Sequence, residues 1–237
     1  MWWIGVLTAS ATTLHTERLS WAPLRAAWLA AIPAQAYTEA LAGQTPTGTA
    51  STNAGDQIWA VARLDAPIDA VWRALTDAEN FARWMPVDQT VALSRPGQDG
   101  AVLFHYLSLP IVTDRFWCVE HDHNAALYAQ TSGKVWELSW TEQHGTPACA
   151  QLPASSTRGM PVRLSRGSWL LVDLGDNQTL AEYITWAHPG GNLPGDQVAR
   201  FAASRLSETL SSLQDMARWE QNRPVTGFYR PDGTAMQ

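Results

Sequence analysis

Residues 58–64 (IWAVARL) alternate more and less apolar positions at the period of two expected of a half-buried strand. The spacing then becomes helical. Pro67 suits a first helical turn and Asp69 places favourable charge near its N-terminus, while Val71, Trp72 and Leu75 form an apolar stripe. Asp77 is placed to cap a second short helix carrying Phe81 and Trp84, which Pro86 ends. Further strands are predicted over residues 89–94, 101–109, 112–121, 126–131, 135–142, 168–174 and 179–188, with turn residues at 97–100 and at Asp176-Asn177. This is a meander with short connections. From near Pro194, Val198, Phe201, Ala202, Leu206, Leu210, Leu213 and Met216 recur at spacings of three and four, with Glu208 and Arg218 off the stripe. One face of a long C-terminal helix must therefore be buried. The residues after Trp219, with Pro224, Gly227, Pro231 and Gly233, are expected to fray.

The N-terminal region reads differently, and residues 1–56 are taken as an extension, 57–220 as one folded domain and 221–237 as a tail. Residues 19–36 are Ala-rich and apolar, follow Arg18 and end in Ala-x-Ala at residues 34–36, which suggests a secretory signal starting downstream of Met1. That reading directs the chain to the periplasm or outside the cell. Arg25 interrupts the apolar run, however, and the competing expectation is an amphipathic helix over residues 21–41 packed on the domain. Residues 43–55 (GQTPTGTASTNAG) read as a low-complexity linker. Residues 144–166, with three prolines, read as a surface loop, either a lid over an entrance or an unconstrained insertion.

Three patches carry a family resemblance: residues 65–86 (DAPIDAVWRALTDAENFARWMP), Leu109-Pro110 followed by Thr113-Asp114-Arg115-Phe116, and the stretch from Tyr183 (YITWAHPGGNLPGDQVARF). With Asp65, Pro67, Val71, Trp72, Leu75, Asp77, Trp84, Pro86, Pro110, Asp114, Arg115, Gly190, Gly191 and Pro194 as the matching residues, residues 58–219 resemble the START family of lipid-binding domains. That family sits within the helix-grip (SRPBCC, Bet v 1-like) superfamily, which also includes polyketide cyclases. The resemblance implies an α+β helix-grip fold: a curved antiparallel sheet wrapped around a long C-terminal helix, with two short helices after the first strand and an internal apolar cavity.

Composition narrows the function. Charged residues make up 16% of the 237-residue chain, the net charge is −6 and the basic residues are scattered, which argues against nucleic-acid binding and against a polybasic membrane anchor. No stretch reaches the roughly 20 uninterrupted apolar residues of a membrane-spanning helix. Thirteen tryptophans suit either an ordinary sheet core or the wall of a ligand chamber. Two cysteines, Cys118 and Cys149, leave a disulfide open.

Catalytic patterns are sparse. There is no phosphate loop, nucleophile elbow or Cys-x-x-Cys. His121 and His123 share a strand face but sit beside polar turn residues, so no metal is assigned, and no cofactor is expected. In the resembling domains the arginine at the Arg115 position lies in the cavity. A buried guanidinium needs a partner, for which Glu137, Asp173 and Glu182 are available. Period-two parity with Arg115 inward also turns Thr113, Trp117 and Val119 inward, and the neighbouring strands are expected to contribute Phe104, Tyr106, Trp136, Trp140, Trp169, Leu171 and Tyr183. Trp84 and, from the helix, Val198, Phe201, Ala202 and Leu206 complete the expected ligand-binding set. The function expected is binding of one hydrophobic small molecule, such as a lipid, sterol or isoprenoid, by a monomer making transient membrane contact. The alternative is a cyclase-type enzyme using Arg115, Tyr106, His105 and Tyr183, and a third is a partner-binding module.

Overall fold

The computed structural model describes residues 16–17, 20–52, 55–109, 112–188 and 195–237, and side chains throughout these except in 195–204. Pro110, Gly190, Gly191 and Pro194 of the resemblance, and the side chains of Val198, Phe201 and Ala202, lie outside the described residues. The elements in chain order are α1 (Ala34–Leu41), β1 (Thr47–Thr52), β2 (Gly55–Leu64), α2 (Ile68–Thr76), α3 (Phe81–Trp84), β3 (Gln89–Ser94), β4 (Val102–Leu107) and β5 (Asp114–His123). They continue with α4 (Ala125–Gln130), β6 (Val135–Glu142), β7 (Gly159–Pro161), β8 (Leu164–Gly175), β9 (Gln178–His188) and α5 (Gly195–Gln221).

The strands form one sheet in the order β1-β2-β9-β8-β6-β5-β4-β3, antiparallel throughout this path. β4 occupies one edge of β5. On the other edge β6 pairs residues 119–123 and β7 pairs Asp114–Phe116 in parallel, so the chain splits that edge between two strands. Short helices after β2 and the long α5 pack on the inner face. Val71, Trp72, Leu75, Leu206, Leu210, Leu213 and Met216 are all buried there. The apolar stripes of α2 and α5 thus meet each other and the sheet, as their spacing requires. This is the expected α+β helix-grip architecture, an open curved sheet gripping a C-terminal helix.

The far half of α5 is pinned by charge as well as by packing. Arg73 Nη1 donates to the Glu220 carbonyl at 2.7 Å, and Arg223 Nη1 bridges Asp77 Oδ2 at 2.9 Å and Glu220 Oε1 at 2.8 Å. Asp77 closes α2 and holds Asn80, from which α3 starts. The residues after α5 return to the core instead of fraying. Trp72 Nε1 donates to the Tyr229 carbonyl at 2.8 Å, Tyr229 pairs with Ala235, and Met236 is buried.

The N-terminal region is packed on the domain, as the competing expectation for residues 21–41 had it, but with its α-helix confined to Ala34–Leu41. Trp21, Ile32, Ala36, Tyr37 and Ala40 are buried on the outer face of the sheet against Trp59, Leu170 and Ile184. Arg25, only 5% exposed in its side chain, reaches Glu137 Oε1 and Glu182 Oε1 at 2.7 Å each. Tyr37 donates to Glu182 Oε2 at 2.6 Å. The Ala-x-Ala at residues 34–36 therefore lies in the first turns of a packed helix, and the expected linker at 43–55 contains a strand. β1 is an edge strand whose small residues alternate between partial burial and exposure, so it carries no apolar signature. Gly48 is needed in it, because a Cβ there would stand 2.3 Å from Trp59 Cζ2.

Residues 126–131, expected as a strand, form α4 instead. Asn124 Oδ1 accepts from Leu127 N at 3.0 Å and supplies the N-cap that Ala-Ala-Leu-Tyr needs to turn into a helix. The proline-bearing loop after β6 is fastened to the outer face by a Cys118–Cys149 disulfide and by β7. It covers that face, and its end beyond β7 contributes Val162 to the cavity wall.

Candidate functional site

A cavity of about 680 Å³ remains between the inner face of the sheet and α5. Its deep wall consists of Ile58, Val119, Leu138, Trp140 and Trp169, with Leu75 from α2. Trp169 lies 4.2 Å from Tyr183 between ring centroids, and Trp140 stacks on the other side of Tyr183 at 5.8 Å with 20° between planes. Three strands thus present one aromatic ledge. Burial drives the Tyr183 hydroxyl up to about 12, so it stays a neutral phenol. The outer end is formed by Met85, Pro86, Leu107, Leu109, Val112, Ala187, Arg205 and Leu206, among which Val112 is 39% exposed. The chamber opens to solvent there.

Arg115, 4% exposed, is at this outer end and turns its guanidinium back on its own strand, donating from Nη1 to the carbonyls of Thr113 and, at 3.3 Å, Asp114. The carboxylates considered as its partners lie elsewhere: Glu137 and Glu182 are on the outer face with Arg25, and Asp173 is exposed. Trp117 and Val119 follow Arg115 inward, as parity requires.

Of the expected binding set, Arg115, Trp117, Trp140, Trp169, Tyr183 and Leu206 line the cavity. Trp136 faces inward but packs against Trp72 at 5.4 Å, away from the open space. Trp84 stacks on Trp219 at 5.9 Å and also lies off the cavity wall. Phe104 and Tyr106 point the other way, toward Phe116 and Leu152 on the outer face, where the Tyr106 hydroxyl donates to Asp114. The reason is that β4 is buried without interruption from Val102 to Tyr106, since the disulfide-held loop covers its outer side. Alternation vanishes when both faces are covered, so the parity of β4 was not readable from its own residues.

With β4 in its actual register His105 enters the wall, and His121 enters it from β5 by parity with Arg115, Trp117 and Val119. His105 is the Cα partner of Trp117, stacks on it at 5.4 Å, and shares a 3.0 Å hydrogen bond between Nδ1 and Thr90 Oγ1. Burial lowers it to about 4. His121 is lowered to about 3, by burial first and then by His105 and His123. Both rings are therefore neutral at pH 7. His123 shares their side of β5 but packs edge-on against Trp72 at 4.8 Å. Among the described residues no cluster of three His, Cys, Asp or Glu side chains is arranged to hold a metal.

The family model for Activator of Hsp90 ATPase homolog 1-like protein matches residues 65–146, which hold α2, α3, α4 and strands β3 to β6. Similar solved structures cover more of the chain. The STAR-related lipid transfer protein of Xanthomonas axonopodis is 20% identical, with a TM-score of 0.60 over 73% of this chain and 93% of that one. Human STARD10 is 13% identical, with a TM-score of 0.63 over 90% of this chain and 83% of that one. Human StAR-related lipid transfer protein 5 is 11% identical, with a TM-score of 0.59 over 90% and 96% of the two chains. No curated protein matches the chain in sequence. By fold, the chain contains a START-like helix-grip domain.

Proposed function

We propose that this protein holds one hydrophobic small molecule of the lipid, sterol or isoprenoid kind between its sheet and α5, for transport or sequestration. The observation that carries this reading is the cavity of about 680 Å³, walled by aromatic and aliphatic side chains from six strands and three of the helices. At roughly 30 Å³ per water-sized group, such a space takes about 20 non-hydrogen atoms. That suits a single chain or a compact ring system better than a two-chain phospholipid. Burial of apolar ligand surface, at roughly 25 cal/mol per Å², supplies the driving force. The structural relatives named for lipid transfer support the same class of ligand.

The cyclase alternative keeps His105, Arg115 and Tyr183 on the wall but loses Tyr106, which points to the outer face. It is the weaker reading, because the neutral phenol and the low-lying imidazole are poorly matched to proton transfer at neutral pH. Native mass spectrometry of the purified chain, with organic extraction of whatever it carries, tests the proposal. A single apolar adduct per chain supports it. A bare chain that takes up no single-chain lipid overturns it.

A further inference from the structure

Two polar side chains of the cavity wall, His121 and the hydroxyl of Ser165, form no side-chain hydrogen bond among the described residues. Of these His121 is the larger and can both donate and accept from a ring set in the apolar wall. His121 is 8% exposed. Buried polar groups are nearly always hydrogen-bonded, and one that faces open space marks the place where a partner belongs. Its neighbours differ in this respect. His105 already shares Thr90 Oγ1, and the ring nitrogens of His123 are sealed against any open space. His121 pairs across the sheet with Trp140, and around it the wall is Val119, Leu138 and Trp140.

Position along β5 gives the site a direction. His121 is six residues from Arg115, which at about 3.3 Å per residue puts their Cα atoms roughly 20 Å apart. Arg115 stands near the exposed Val112, and His121 lies at the other end of the cavity-facing run of β5. Resting on the reading of the cavity as a ligand chamber, we propose that His121 is the polar contact for the ligand, which enters polar group first and leaves its apolar tail toward Val112. A neutral imidazole offers one N–H and one lone pair, which match an uncharged hydroxyl or carbonyl. A carboxylate at the same place would be desolvated with no cation beside it. The ligand class is therefore a long apolar molecule ending in a neutral oxygen group.

The test uses tetradecanol, tetradecane and tetradecanoate, delivered from cyclodextrin and followed by quenching of the cavity tryptophans. Tetradecanol is expected to bind about threefold to tenfold more tightly than tetradecane, the range of one net hydrogen bond, and more tightly than tetradecanoate. His121→Leu should erase the advantage of the alcohol while leaving tetradecane unchanged, and His121→Gln should restore part of it. In the unsubstituted protein the imidazole ¹⁵N signals of His121 should move on adding tetradecanol and stay in place with tetradecane, a readout independent of any variant's folding. Equal binding of alcohol and alkane, or tightest binding of tetradecanoate, overturns the role of His121 while the chamber itself stands. Failure of all three to bind overturns both.

Discussion

Replacing Arg25 by Met removes the guanidinium that, among the described residues, bridges Glu137 and Glu182 in a buried outer-face cluster. Both carboxylates are nearly inaccessible, at 3% and 1% side-chain exposure, so solvent cannot stand in for the guanidinium. Breaking such a pair from one side costs about 3–5 kcal/mol, because the charge left behind stays buried. The remaining donors moderate the loss: Asn124 Nδ2 at 2.8 Å and Ser168 Oγ at 2.7 Å serve Glu137, and the Tyr37 hydroxyl serves Glu182. We therefore expect a loss toward the lower end of that range in urea unfolding followed by tryptophan fluorescence, with an unchanged m-value. The triple variant Arg25→Met, Glu137→Gln, Glu182→Gln should recover most of it, since neutral groups carry no such penalty. A loss under about 1 kcal/mol for Arg25→Met, or a triple variant as unstable as the single one, would refute the view that the N-terminal segment is fastened to the fold by this cluster.

Acid should weaken the fold through its inner histidines. Their folded values, about 4 for His105 and His123 and about 3 for His121, lie below the unfolded 6.5. The contribution is thus complete above pH 6.5 and is lost as pH falls toward those values, by about 2 kcal/mol per histidine at pH 5. A His121→Phe variant should show a correspondingly shallower decline between pH 6.5 and 5, and an identical decline would contradict the assignment. Replacing Cys118 and Cys149 by Ala opens a crosslink with a sequence separation of 31, expected to cost about 3–4 kcal/mol by loop-closure entropy and visible as a lower urea midpoint. An unchanged midpoint would show that the loop is held by β7 and packing alone. Gly167→Ala puts a Cβ 2.1 Å from Trp140 Cζ2 and 2.5 Å from the Ile184 carbonyl, so it should destabilise by about 1–3 kcal/mol and alter tryptophan emission as Trp140 leaves Tyr183. Wild-type stability would contradict that packing.

The inner half of the fold was legible because its signals are local. Pro67, Asp69 and the Val71, Trp72, Leu75 stripe define α2, and the run from Leu206 to Met216 defines the buried face of α5. Trp117, Trp140, Trp169 and Tyr183 were placed on the cavity side from the inward Arg115 that the family resemblance implied, combined with strand parity. The outer half was not legible for a corresponding reason. β1 has no apolar alternation, α4 depends on a single asparagine cap, and the segment around Arg25 shows its purpose only beside two glutamates more than a hundred residues away. His105 was named only for the cyclase alternative and His121 was weighed only as a metal ligand, so their shared place on the cavity wall was not read from the sequence. The register of His105 against Trp117 places the first, and parity along β5 with Arg115, Trp117 and Val119 places the second.

The central claim is that the space beneath α5 is kept for a guest, and the most direct measurement is the mass of the intact chain under native conditions after exposure to tetradecanol. The account predicts a one-to-one adduct that disappears when Ser165, on the cavity wall, is replaced by Trp in a protein that otherwise unfolds normally. An unsubstituted chain that emerges without any adduct, or an adduct unaffected by filling the cavity, would contradict it.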